Sequence, residues 1–130
     1  MPVRTVVVDG NNVIGSVPDG WWRDLPAAVR RLLSRLVCYR RCTQHAVLLV
    51  LDAAQPDLSE GSHDGVEVRY AARAGRNAAD ARILELLQDL GGAEVEVVSS
   101  DRALAADAAH LGAVIVGAGA FLDRLDDVGC

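Results

Sequence analysis

Short Val-rich apolar runs alternate with stretches of helical periodicity along the whole chain, and this restricts the fold more than any other feature of the sequence. The run from Val3 to Val8, bounded by Asp9-Gly10, reads as a buried strand. Leu25, Val29, Leu32, Leu36 and Tyr39 then recur at steps of three and four, which is one face of a long helix. Ala46 to Leu51 is a second strand ending at Asp52, and Ala53 to Gly65 reads as a polar loop. Val66 to Tyr70, Glu94 to Val98 and Ala113 to Val116 read as strands three, four and five. Helices are predicted over Asn77 to Leu90, where Gly91-Gly92 stops the run, over Asp101 to Leu111, and near Phe121 to Leu125. Five strands and four helices in alternation predict one α/β domain over residues 1–130, with a mostly parallel sheet and helices on both faces. In such open sheets ligands sit at the carboxyl ends of the strands.

Composition removes several classes of function. Of the 130 residues, 51% are hydrophobic, which rules out a disordered chain. No apolar run is long enough to span a bilayer, and Asp9 follows too soon for a signal peptide, so a cytoplasmic protein with no membrane partner is expected. The net charge of −5 argues against a protein that coats nucleic acid by bulk charge, although all 13 basic residues are Arg and small basic patches remain open. Cys38, Cys42 and Cys130 are odd in number and are expected as free thiols. A metal site built on Cys38 and Cys42 would need further ligands; His45 is close in sequence, but no fourth ligand is obvious.

The acids carry the functional signal. Strand one ends in Asp9, strand two in Asp52 and strand four in Ser99-Ser100-Asp101, while Asp80 opens the helix after strand three. Asp80 precedes Ile83, Leu84 and Leu87 at helical spacing, which turns it toward the protein, and Asp101 stands likewise to Leu104, Ala105 and Ala108. Crowded, desolvated carboxylates repel, and a bound cation removes that penalty. Oxygen-only ligands favour Mg²⁺ or Mn²⁺, and such an ion activates water for attack on a phosphodiester. Each acid also has a duller role to weigh: Asp80 as third residue of a helix capped by Asn77, Asp101 as an N-cap, Asp9 and Asp52 as turn residues.

Three segments resemble motifs of NYN domains in the PIN-like nuclease superfamily: Val6-Val7-Val8-Asp9-Gly10-Asn11-Asn12-Val13-Ile14, Gly75-Arg76-Asn77-Ala78-Ala79-Asp80, and Val97-Val98-Ser99-Ser100-Asp101-Arg102. They occur in the family's order, and the chain is most similar to the small bacterial YacP-like group. The resemblance implies a three-layer PIN-like, Rossmann-like fold with a five-stranded sheet in the order 3-2-1-4-5. It implies metal-dependent RNA cleavage, with Asp9, Asp80 and Asp101, and more weakly Asp52, as ligands of Mg²⁺ or Mn²⁺. Asn12 matches the polar residue beside the metal, and Ser99 and Ser100 match the hydroxyls that support the strand-four acid. A further acid common in PIN-like nucleases has no match, since Asp107 lies two turns into its helix; this counts against two metals more than against one.

RNA, in single-stranded form, is the expected partner. Arg69, Arg73, Arg76 and Arg102 flank the acids and offer bidentate phosphate contacts. Within Trp21-Trp22, Trp22 is the candidate for stacking on an unpaired base. The apolar, Ala-rich composition leaves room for a homodimer, and a ribosome or an antitoxin-like protein stands open as a partner. The rival reading is a catalytically inactive PIN-like module that binds RNA or another protein. Two other readings fail: Val114-Ile115-Val116-Gly117-Ala118-Gly119 lacks the third Gly of a dinucleotide site, and Asn11 stands where an aspartyl-phosphate phosphatase needs Asp.

Overall fold

In the computed structural model, which describes residues 3–75, 77–91 and 94–130, the elements follow the predicted alternation with additions. They are β1 (Thr5–Asp9), α1 (Gly10–Gly15), a 3₁₀ turn (Trp21–Arg23), α2 (Leu25–Thr43), β2 (Ala46–Leu51), β3 (Gly61–His63), β4 (Val66–Tyr70), α3 (Ala78–Leu90), β5 (Val95–Val98), α4 (Arg102–His110), β6 (Val114–Val116) and α5 (Ala118–Asp127). The sheet has six strands in the order β3-β4-β2-β1-β5-β6. The β4-β2-β1-β5-β6 part is parallel throughout and has the expected 3-2-1-4-5 order.

The sixth strand corrects the five-strand expectation. It lies in the segment read as loop and pairs antiparallel with the edge strand β4 through Gly61, Ser62 and His63. Asp64 and Gly65 between them both have positive φ (51° and 92°), as a tight two-residue hairpin turn requires. A second addition is α1, which begins directly after Asp9. Gly10 permits this: a Cβ there would sit 3.1 Å from the Val50 carbonyl oxygen and 2.6 Å from the Leu51 side chain.

Successive residues of the parallel strands enter opposite cores. Val6 and Val8 pack with Leu32, Leu36 and Phe121 of α2 and α5, while Val7 packs with Ile83, Leu87 and Leu104 of α3 and α4. The helices therefore cover both faces. α2 starts where the Asp24 carboxylate accepts the Ala27 N–H at 3.1 Å. It ends at Gln44, with φ of 64°.

Cys38 and Cys130 form a disulfide and Cys42 is the free cysteine, which overturns the expectation of three free thiols. α2 and α5 lie on the same face, so two residues 92 positions apart meet, a proximity that spacing does not reveal. No helix among the described residues is long and apolar enough to cross a membrane.

Candidate active site

Parallel pairing aligns the carboxyl ends of β1, β2 and β5 at one edge, and the residues that follow them are fixed there by side-chain hydrogen bonds. Asn11 Oδ1 accepts the Asp52 N–H at 2.9 Å and Asn12 Oδ1 accepts the Ser100 N–H at 2.8 Å, so α1 pins the ends of both neighbouring strands. Asp52 Oδ1 accepts the Ala79 N–H at 2.9 Å in the first turn of α3. Ser100 Oγ accepts the Ala118 N–H at 2.9 Å at the start of α5. The Ser99 hydroxyl donates to Asp9 Oδ2 at 2.8 Å and accepts the Asp101 N–H at 3.1 Å, linking two of the acids.

Asp9 is 4% exposed, whereas Asp52, Asp80 and Asp101 are half-buried. Burial raises the Asp9 pKa to about 7; Ser99 opposes the shift, and Asp80, Asp52 and Asp101 add to it. Burial and then the charges of Asp101 and Asp52 raise Asp80 to about 6. The four carboxylates thus lie within electrostatic reach of one another. Among the described residues, no three of them bring one oxygen each within 4.8 Å of the others. The donors are all oxygen. Asp9, Asp52 and Asp101 each commit one carboxyl oxygen to a protein hydrogen bond, leaving the second for a ligand.

Some of the duller roles coexist with this placement. Asp101 is the N-cap of α4, its Oδ1 accepting the Leu104 N–H at 3.0 Å. Asn77, at φ 59°, caps no N–H of α3 with its side chain, so the capping-box account of Asp80 fails.

A cleft of about 360 Å³ opens at this edge, lined by Asp9, Asp52, Asn11, Asn12, Asn77 and Trp21. Trp21 is the aromatic residue that reaches it. Trp22 is 58% exposed, meets Trp21 edge to face and carries the Arg23 guanidinium over its ring. The sequence does not mark Asn11, Asn77 or Trp21 as lining the site; the Trp21-Trp22 pair is the available signal, and which ring turns inward is a tertiary fact. Arg69 is paired with Glu67 at 2.7 Å on the same strand. Arg73 is exposed on a groove shared with Arg82, and Arg102 is exposed at the start of α4. Arg76 falls outside the described residues.

Known structures share this fold. Rae1 (YacP) from Bacillus subtilis superposes with a TM-score of 0.79 at 26% identity, covering 99% of this chain and 76% of that one. A point mutant of the same protein gives 0.79 at 25% identity, over 96% and 76%. No curated protein sequence matches the chain at a significant level. The family profile of the YacP-like NYN domain matches residues 6–129, nearly the whole chain. The chain therefore belongs to the YacP-like NYN domain family, a nuclease-type, RNA-related family.

Proposed function

We propose that the protein is a metal-dependent endoribonuclease that hydrolyses phosphodiester bonds of single-stranded RNA in the acidic cleft. The observation that carries this reading is the convergence of three further carboxylates on a buried Asp9 whose pKa lies near 7. A cluster left in this state gains from a hard divalent cation, and Mg²⁺ or Mn²⁺ suits a set of oxygen donors too spread for a closed cage. Such ions keep several waters and bind through one or two carboxylates together with substrate phosphate. Asp9 would hold the ion directly, with Asp80 and Asp101 reaching it directly or through its waters, and Asp52 lines the same cleft. When bound, it supplies Lewis acidity toward phosphate oxygen and water.

The chain's own residues do the rest. Ser99 fixes the rotamer of Asp9, and the Asp101 N–H fixes Ser99. Asn12 holds the Ser100 backbone, so the loop that carries Asp101 keeps its distance from Asp9. Arg73 in the segment before α3 and Arg102 at the start of α4 offer exposed guanidinium groups for RNA phosphates, and Trp21 offers a flat wall of the cleft for an unpaired base.

The test is cleavage of a labelled single-stranded RNA with Mn²⁺, with EDTA, and with Asp9→Asn. Cleavage that needs Mn²⁺ and is lost in Asp9→Asn is expected. Equal cleavage by both proteins would reject the proposal. RNA binding without cleavage in any metal would favour the inactive module.

A further inference from the structure

The opposite edge of the sheet carries a second cluster of metal-ligating groups. Cys38 and Cys42 lie one turn apart on α2, and Cys130 follows α5. The Sγ atoms of all three lie within 4.8 Å of one another, and Cys42 Sγ is 3.9 Å from Cys130 Sγ. Among the described residues this is the one set of three His, Cys, Asp or Glu side chains that meets so tightly. α2 runs antiparallel to the strands it covers, so its last turn lies at their amino ends, away from the acidic cleft.

We propose that the reduced chain binds one thiophilic divalent cation of the zinc class through the thiolates of Cys38, Cys42 and Cys130. Three observations support this. First, thiolates sharing a tetrahedral zinc ion at ~2.3 Å stand roughly 3.8 Å apart, close to the separation of Cys42 and Cys130. Second, bonds other than the disulfide hold Cys130 in place. Its N–H donates to the Leu125 carbonyl at 2.8 Å, and its carbonyl accepts Arg35 Nε at 3.0 Å. Arg35 is itself anchored to Asp126 at 2.6 Å. Reduction therefore leaves the three sulfurs facing one another. Third, Cys42 lies in the last turn of α2, where the negative end of the helix dipole favours a bound cation.

The fourth position falls to water. Cys42 borders a cavity of about 490 Å³ that also touches His45. The His45 Nδ1 is taken by the Arg4 N–H at 3.1 Å. The disulfide and the cation are alternatives: the first consumes two of the three thiolates, and the second needs all three.

The test uses the full chain, reduced with a phosphine under nitrogen and titrated with Co²⁺ as a spectroscopic stand-in, then with Zn²⁺. One equivalent of Co²⁺ should give the thiolate-to-cobalt charge-transfer band, which carboxylates cannot produce, and Zn²⁺ should bleach it. Cys42→Ser keeps the disulfide pair and is exposed, so it should fold; at one equivalent of Co²⁺ it should give a clearly weaker band than wild type and bind Zn²⁺ ~100-fold more weakly. The oxidised chain should give no band. Absence of the band in the reduced chain, or a Cys42→Ser protein that binds as the wild type does, would overturn the proposal.

Discussion

Two carboxylates are buried on neighbouring strands of one sheet, and their surroundings are opposite. Glu96 on β5 is 3% exposed and Asp9 at the end of β1 is 4% exposed. Glu96 accepts both prongs of the Arg124 guanidinium, at 2.9 and 3.2 Å, and Arg4 stands at 3.6 Å. Its hydrogen bond is the largest influence on Arg124, holding that guanidinium above its usual pKa. Asp9 receives one hydroxyl, from Ser99, and faces three more acids. A buried charge must be paired, neutralised or protonated. At Glu96 the chain supplies the partner itself, which is a structural solution. At Asp9 it supplies more of the same charge, leaving the compensation to a proton or to something from outside.

The largest effect should fall on chemistry at the uncompensated end. Asp9→Asn, and separately Asp101→Asn, should lower Mn²⁺-dependent RNA cleavage by ~1000-fold, a loss on the scale of several kcal/mol of transition-state stabilisation, read from initial rates under single-turnover conditions. A variant within tenfold of wild type would remove that residue from the site. At the compensated end the response should be in folding. Glu96→Ala strands Arg124, and because that guanidinium is partly exposed the loss should be about 2–3 kcal/mol rather than the full cost of an unpaired buried charge. Urea denaturation with an unchanged m-value checks it, and the folded variant should still cleave RNA.

A smaller effect separates the two ends by pH. The Asp9 carboxyl titrates near 7 when folded against 3.8 for the free group. Folding thus favours its protonated form, and this contribution is complete below pH 4 and is lost as pH rises through 7. Asp80, with a pKa of about 6, acts in the same sense. Asn at position 9 has no proton to lose. In EDTA, Asp9→Asn should therefore gain about 2 kcal/mol relative to wild type between pH 5 and pH 8. A constant difference in stability across that range would contradict the raised pKa. The smallest effect is on RNA affinity. Arg73→Ala with Arg102→Ala should weaken binding modestly and lower the log–log salt slope by about 1 to 2, and an unchanged slope would exclude phosphate contacts at both.

What the sequence revealed follows from which signals are local. The central strands β1, β2 and β5 announce themselves as apolar runs because most of their residues are buried on both faces, and β4 and β6 as shorter β-branched runs; Asp9 and Asp101 are placed by where the runs stop. β3 has no such run. Gly61, Ser62 and His63 pair by backbone alone, and the legible sign was the Asp64-Gly65 turn before β4. α1 was hidden because Gly10-Asn11-Asn12 reads as a turn. The two asparagines serve instead as acceptors for backbone N–H groups 41 and 88 positions away, which no local pattern encodes. The same limit applies to Trp21 against Trp22 and to the Cys38–Cys130 bond.

Neutralisation of the acidic cleft by a divalent cation can be tested without recourse to activity, in crystals of the metal-free protein soaked in Mn²⁺ and measured at the manganese absorption edge. The account predicts one anomalous peak among the carboxyl groups of Asp9, Asp80 and Asp101, lost in Asp9→Asn. A map with no peak there at saturating Mn²⁺, or a peak that persists unchanged in Asp9→Asn, would contradict it.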